Sequence, residues 1–399
     1  MHAGATTVIV GASVAGIRAA AALRHNDPHH RIILVDGENE EPYDKPPLSK
    51  AVLSNTDLPS PDLTDHIGQN IDYRKGTPAV AVDTAASTLS LGDGSVIRYD
   101  NAILATGSAP RHLSVLDGIP GVHYLRTFAD ATALRTALLR RPRVIVVGGG
   151  FIGAEVASST RERGLDVTII EAGPRMAARV LPEPVSHALA SLHARHGVSV
   201  RCGTTVRGAT YDPCRQDLEL LLDDGDTVVG DVVVVGIGTA PCTDWAADSA
   251  LPIRNGFACG PDLRVNGTSN VYAIGDVARW FNPRYGDEMR VEHWTNAREH
   301  AAVAAHNIVY PHAPRHASTV PFVWSDQHGT RIQHVGDPDL TDVDIDAVEL
   351  SHSTRVFTYS RGGITVGATG FNAQGALAKI RKQLVDQRAP SLHRDHTHH

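Results

Sequence analysis

Cysteine is scarce in this chain: four in 399 residues, Cys202, Cys214, Cys242 and Cys259, set far apart and without a C-x-x-C pair. Neither a thiolate zinc cage nor a vicinal redox pair can be built from them, so they read as packing residues. Long apolar runs are absent as well. No stretch approaches the roughly 20 residues a membrane helix needs, and the β pattern that starts by Val8 leaves no room for a signal peptide, so a cytoplasmic protein with no membrane association is expected. Positive charge is not in excess. With 37 Lys and Arg against 44 Asp and Glu, the net charge of -7 argues against a nucleic-acid binder, although a local basic patch could still meet an acidic protein. The 22 histidines are scattered with no H-E-x-x-H spacing, so no metal site is expected, and His393, His396, His398 and His399 read as a mobile tail.

What the chain does have is two glycine signatures, Gly11-Ala12-Ser13-Val14-Ala15-Gly16 and Gly148-Gly149-Gly150-Phe151-Ile152-Gly153. Each follows a run of β-formers (Val8 to Val10, Val144 to Val147) and opens an Ala-containing helical pattern, the strand, turn and helix context that a dinucleotide fingerprint requires. An acidic residue follows roughly 20 residues on in both: Asp36 after Ile32-Ile33-Leu34-Val35, and Glu171 after Val167 to Ile170. Backbone N–H groups and a helix amino terminus then face a pyrophosphate, and the carboxylates face the riboses. Ser13 stands where the middle glycine belongs, a tolerable substitution because its side chain is small. Glu171 would repel a 2'-phosphate and Ala172 beside it is no arginine, so NADH is favoured over NADPH at the second site; nearby Arg175 blurs that inference.

The length suits two or three domains, and 42% hydrophobic with 20% charged residues suits real cores. The expected architecture is α/β: two Rossmann-like dinucleotide-binding domains plus a small C-terminal α+β domain. The first domain takes residues 1–110 and 246–319, the second 111–245, and the third 320–399. Pro46-Pro47 precede a helix expected to begin near Ser49. Residues 71–105 alternate as strands, with a hairpin at Gly92-Asp93-Gly94, and return to the first sheet at Ala105-Thr106-Gly107. The second unit closes at Val232 to Gly238. The strand Val271-Tyr272-Ala273 ends in Gly275-Asp276 and re-enters the first unit, ahead of a helix over about Thr295 to Val309. Arg355 to Tyr359 and Ile364 to Ala368 suggest antiparallel strands, followed by a helix carrying Lys379, Arg381 and Lys382.

Taken in order, Gly11-x-Ser13-x-x-Gly16, Pro42-Tyr43-Asp44-Lys45-Pro46-Pro47-Leu48-Ser49-Lys50, Ala105-Thr106-Gly107, Gly148-x-Gly150-x-x-Gly153, Ala273-Ile274-Gly275-Asp276 and Trp324-Ser325-Asp326-Gln327 resemble the FAD-dependent ferredoxin reductases of bacterial cytochrome P450 and aromatic-ring dioxygenase systems. The resemblance spans nearly the whole chain. It implies FAD at the first site, held by Gly11, Ser13, Ala15, Gly16, Asp36, Lys45, Ala79, Ala105, Thr106, Gly107, Arg126, Asp276 and the Trp294 backbone. It implies NADH at the second, held by Gly148, Gly150, Ile152, Gly153, Glu171 and Gly238. Lys50 and Glu155 match a lysine and glutamate that pair beside the flavin N5, with Glu155 expected on the first turn of its helix. Lys45 stands where an arginine is common, and Asp36-Gly37 reverses the usual order of glycine and acid, so Glu38 is an alternative to Asp36 for the ribose.

The chemistry suits that assignment, because flavin takes a hydride and releases electrons singly, leaving the protein to position, exclude water and tune potential. Taken alone, Lys50 reads equally as a surface lysine and Glu155 as a carboxylate favoured by a helix dipole. Trp294 and Trp324 read either as a flavin shield or as core. Arg279, Arg284, Arg290, Arg331 and Arg381 are candidates for a face docking an acidic ferredoxin, against the plainer reading of solvated surface charges. The expected partner is an iron-sulfur ferredoxin feeding a cytochrome P450 or a Rieske-type oxygenase, with the enzyme a monomer or homodimer. A peroxidase is disfavoured by the lack of cysteine near residues 40 to 50. Two alternatives stay open: rubredoxin or another one-electron carrier as acceptor, and an NADH-sensing flavoprotein with slow turnover.

Overall fold

The computed structural model describes residues 5–55, 57, 61–64 and 70–387; the four terminal histidines lie outside them. Seven α-helices occur among these residues: α1 Val14–Asn26, α2 Ala51–Ser54, α3 Phe128–Leu138, α4 Phe151–Glu162, α5 Glu183–Arg195, α6 Trp294–Val309 and α7 Gln374–Asp386. None is long and apolar enough to cross a membrane.

The two glycine loops sit in two separate five-stranded parallel sheets. In the first, the strand order is Val271–Ala273, Asn101–Leu104, Thr6–Val10, Arg31–Val35, Ile71–Arg74. In the second it is Ser199–Cys202, Val167–Glu171, Val144–Val147, Val232–Val235, Val122–Tyr124. Val10 and Val147 each end the central strand, where the winding direction reverses, and a ligand crevice opens at that point of such sheets. Val8 to Val10 and Val144 to Val147 are all buried, the continuous apolar run expected of parallel strands covered on both faces.

Small residues set how closely the helices cover these sheets. Helix α1 buries Ala15, Gly16, Ala19 and Ala20 against α6, which answers with Ala297, Ala301, Ala304 and Ala305. Alanine supplies helix propensity and lets the backbones approach. A capping box at Thr127 and Asp130 starts α3, satisfying two of its otherwise orphaned N–H groups.

Residues 71–105 do not form one sheet. Ile71–Arg74 is the edge of the first parallel sheet, and Asn101–Leu104 returns beside Thr6–Val10. Between them Ala79–Asp83, Thr88–Leu91 and Val96–Arg98 make an antiparallel sheet of their own, with the expected tight turn at Gly92 to Gly94. A short antiparallel ribbon, Ser108–Pro110 with Thr239–Pro241, joins the chain's two crossings between the parallel-sheet units. The C-terminal sheet is antiparallel, in the order Phe322–Gln327, Thr330–Gly336, Ile364–Phe371, Thr354–Arg361, Asp344–Ser351. Helix α7 covers it through Leu377 and Leu384. Its approach is so close that a Cβ on Gly370 would sit 2.2 Å from a Leu377 methyl.

Candidate functional site

The first crevice is built from backbone before side chains. Gly11 has φ +108, and an ideal Cβ on it would lie 2.4 Å from the Ala105 carbonyl oxygen. At Gly16 the corresponding atom would lie 1.8 Å from the Gly11 oxygen. Only hydrogens fit, so the loop folds tightly over the start of α1. Ser13 takes the N-cap position without a side-chain cap bond, and no acid occupies the first turn. The leading N–H groups of a 13-residue helix therefore keep their capacity for an anion. Ala15 is buried beside Gly275, 3.2 Å from the position of a Cβ there.

Asp36 follows the next strand at the same end of the sheet. Burial, aided by the neighbouring Glu38 charge, pushes its carboxyl up to about 6. Glu38 is already engaged, accepting from the Tyr43 hydroxyl and from Lys45 Nζ at 2.9 Å. Glu38 is thus held by two side chains, whereas Asp36 accepts from the backbone N–H groups of Glu38 and Ala12. Lys45 is itself pushed down, by burial first and then by Arg126. Ala79 opens the small antiparallel sheet next to Pro78, whose Cβ lies 3.3 Å from where Gly37 would carry one.

Ser108, Arg126 and Gly107 gather around Asp276. It lies in the 3₁₀ turn Gly275–Val277, where it accepts from Ser108 Oγ at 3.0 Å and faces Arg126 Nη2 at 3.5 Å. Burial raises its carboxyl against the pull of Arg126. Gly107, φ +70, leaves only 3.1 Å between Arg126 Nη2 and a would-be Cβ, and Thr106 Oγ1 donates to the Cys242 carbonyl at 2.7 Å. Trp294 opens α6, donates its ring N–H to Asp44 at 2.7 Å and meets Trp324 edge-on at 5.7 Å.

The second crevice repeats the construction. Gly148 has φ +111 with a would-be Cβ 2.3 Å from the Gly236 oxygen, and Gly153 is closed against the Gly148 oxygen at 2.0 Å. Gly150 caps α4 with open space around it and no acid in the first turn, and Ile152 is 43% exposed. The Glu171 carboxylate accepts from the N–H of Gly149 at 2.5 Å and of Gly173 at 2.6 Å. Gly238, φ +107, faces the guanidinium of Arg179, with Arg111 alongside. These two arginines carry no sequence motif.

Lys50 and Glu155 are brought together. Lys50 Nζ lies 2.8 Å from Glu155 Oε2. The segment carrying Lys50 is not one helix from Ser49: a 3₁₀ turn, Pro46–Ser49, gives way to α2 across Lys50, which sits outside the helical basin at φ -119, ψ -106. The prolines start the turn and the break lifts Lys50 towards α4. Ser159 Oγ donates to the Ser49 carbonyl at 2.8 Å and Arg163 to the Leu53 carbonyl at 2.5 Å, fixing the segment on α4. Glu155 stands on the second turn of α4 rather than its first, because the helix begins at Phe151. Two residues unmarked as ligands in the sequence complete the carboxylate's surroundings: Ser49, which donates to Oε2, and Ser325, which donates to Oε1 at 2.5 Å. An open cavity of about 470 Å³, lined by Asp44, Pro46, Lys50, Trp324 and Asp326 among others, lies beside the pair.

The arginines proposed for a docking face are committed internally. Arg279 pairs with Glu288, Arg290 with Glu292, Arg331 with Asp326 and Arg381 with Glu299. Arg284 donates to the carbonyls of Ser318, Leu384, Val385 and Gln387, so it ties down the end of α7. The cysteines are four free thiols.

The chain matches the family model described as pyridine nucleotide-disulphide oxidoreductase over residues 5–301 and the one described as reductase C-terminal over residues 322–396. It is 38% identical over 334 residues to the anthranilate 1,2-dioxygenase system ferredoxin–NAD(+) reductase component of Burkholderia cepacia, covering 82% of this chain and 81% of that one. It is 34% identical over 357 residues to the rubredoxin–NAD(+) reductase of Ectopseudomonas oleovorans, covering 87% and 90%. Its structure resembles the crystal structure of the covalent putidaredoxin reductase–putidaredoxin complex with a TM-score of 0.89, 30% identity and coverage of 96% of this chain and 94% of that one.

Proposed function

Because the chain belongs to the pyridine nucleotide-disulphide oxidoreductase family, we propose that it takes a hydride from NADH onto FAD. The electrons then pass singly to an iron-sulfur ferredoxin that supplies a cytochrome P450 or Rieske-type oxygenase. The observation that carries this reading is the Lys50–Glu155 ion pair. It links the segment behind the first glycine loop to the helix opened by the second, so the two nucleotide crevices share one polar centre.

Bound FAD supplies a two-electron acceptor that can release electrons one at a time; the rest falls to side chains. The open N–H groups of α1 and the close-packed loop at Gly11 and Gly16 suit its pyrophosphate. Asp36 takes the ribose, and Asp276 with Arg126 takes the polar chain beyond it. Ala105, Thr106, Gly107, Lys45, Ala79 and Trp294 complete that wall. NADH lies on Gly148, Gly150, Ile152 and Gly153, with Glu171 accepting from its ribose hydroxyls and Gly238 closing the far side. The Lys50 ammonium places a positive charge where negative charge develops on reduction, and Glu155 keeps it there. Trp294 and Trp324 exclude water from the mouth.

Anaerobic stopped-flow absorbance tests this. Mixing with NADH is expected to bleach the flavin band near about 450 nm, a wavelength that belongs to the cofactor, far faster than mixing with NADPH. A protein without flavin, or a flavin that neither nucleotide reduces, overturns the reading. The likeness to a rubredoxin reductase favours a second acceptor class for the same site. Turnover with a ferredoxin against turnover with a rubredoxin separates the two.

A further inference from the structure

We propose that Gln327 and His193 are positioning residues for the Lys50–Glu155 pair: His193 locks the Gln327 amide in the one orientation that leaves the Ser325 hydroxyl donating to Glu155. The inference rests on the reading above, that this pair stands at the reacting centre.

A row of side chains runs away from the Glu155 carboxylate. Ser325 Oγ donates to Glu155 Oε1 at 2.5 Å, Gln327 Nε2 donates to Ser325 Oγ at 2.8 Å, and Gln327 Oε1 is 2.8 Å from His193 Nε2. His193 Nδ1 is 3.1 Å from His328 Nε2. Glu155 is 4% exposed and Ser325, Gln327 and His193 are all 0% exposed, so water does not substitute for a missing partner. The donor directions follow from the atoms. An amide oxygen only accepts, so His193 carries its proton on Nε2, and the remaining Nδ1 of the neutral ring must accept from His328 Nε2–H. Every hydrogen bond in the row therefore points the same way, towards Glu155, and aligned donors reinforce one another in a dry interior.

The amide is the weak point of such a row. Turned over, Gln327 would present its oxygen to Ser325, and the hydroxyl would then donate to that oxygen instead of to Glu155. With its proton on Nε2, His193 opposes the turn, because that N–H would then face an NH2 group. The row is not a proton wire, since an amide passes no proton without changing tautomer. Burial keeps His193 on the neutral side, and burial together with His193, His196 and Arg161 takes His328 down to about 3. His328 is in turn fixed by its backbone N–H on Ser158 Oγ at 2.7 Å and by stacking on His196 at 4.2 Å. The charged and titratable groups around the row are Lys50 beside α2, Arg161 and Glu162 on α4, His193 on α5 and His196 just past its end, and Asp326 and His328 from the edge strand of the C-terminal sheet and the turn after it.

Two measurements test the proposal. In FAD-free protein labelled with 15N-histidine, imidazole spectra are expected to show His193 as the Nε2–H tautomer, untitrated between about pH 5 and 8. Its ring signals should shift in Glu155→Gln. An Nδ1–H tautomer, or a titrating His193, overturns the proposal without any variant at His193. In the FAD-loaded enzyme, His193→Ala is expected to slow flavin reduction about tenfold and to move the acid limb of the rate–pH profile to higher pH. Gln327→Leu should do the same. His193→Gln, whose amide can donate to Gln327 and accept from His328 together, should restore the rate to within about threefold and return the profile to its original position. If Glu155→Gln alters rate and profile while His193→Ala and Gln327→Leu do not, the positioning role fails and the proposed function stands. If Glu155→Gln alters neither, the placement of the pair at the reacting centre fails, and this inference with it.

Discussion

Lys50 and Glu155, separated by more than a hundred residues, form an ion pair whose side chains are 19% and 5% exposed. So little contact with water keeps the interaction from being screened as a surface pair is. Lys50→Met is expected to lower the rate of flavin reduction by NADH on the order of a hundredfold while FAD stays bound. Single-turnover absorbance measures the rate and the protein-to-flavin ratio measures retention. An unchanged rate removes Lys50 from the chemistry.

Glu171 should decide between the two nicotinamide nucleotides. Its carboxylate already holds the N–H groups of Gly149 and Gly173, so it is fixed at the rim of the second loop. Glu171→Ala is expected to cost about tenfold in kcat/KM with NADH and to raise the value with NADPH, because a repulsive charge has gone. Steady-state kinetics with both nucleotides checks this, and equal losses with both would assign Glu171 to holding the loop alone.

Asp36 gives a pH signature with a defined sign. Its carboxyl is raised to about 6 in the folded protein, so the folded state prefers it protonated. That contribution to stability is complete below the ordinary carboxylate value and is lost as pH rises through 6. The Tm of FAD-free Asp36→Asn should therefore gain on that of the unaltered protein between about pH 4 and 7. FAD affinity should run the opposite way. Ribose donors favour the charged form, so binding to the unaltered protein weakens below pH 6 by up to about tenfold per unit, and in Asp36→Asn the dependence flattens. Parallel Tm curves for the two proteins would contradict this.

Arg284 should matter for stability and not for docking. Its guanidinium serves four carbonyls, and Arg284→Gln is expected to cost about 1–3 kcal/mol. The salt dependence of carrier reduction should not change. Denaturant melts and ionic-strength series test the two halves separately.

The sequence was most legible where chemistry is local. Gly11, Gly16, Gly148 and Gly153 declare their loops because a Cβ at any of them would strike a backbone carbonyl oxygen, and Val and Ile runs declare the buried strands. Lys50 and Glu155 could be paired only through a resemblance, since nothing within either segment points to the other. Ser49, Ser325 and Gln327 lie in motifs that the resemblance marks, but what they do together with His193 was beyond reach. Their common role depends on α4, α5 and the edge of the C-terminal sheet meeting at one carboxylate, and no spacing encodes that meeting. The partners of the arginines were hidden for a related reason: a sequence shows a charge and not what it pairs with. The break at Lys50 was hidden because Ser49 and the residues after it carry an ordinary helical composition.

The clasp that Arg284 makes on the end of α7 also has an order in time. The residues it binds at Leu384 and Gln387 follow it by 100 and 103 positions. At roughly 5–20 residues per second of synthesis, the guanidinium waits several seconds in water before its acceptors exist. The turn that carries it, between the paired strands Ala278–Asn282 and Asp287–Met289, must therefore be held in the meantime by the core in which Trp280 is buried. Closure of the C-terminal layer is then a late event, and a chain halted before α7 would carry Arg284 without three of its four carbonyl acceptors.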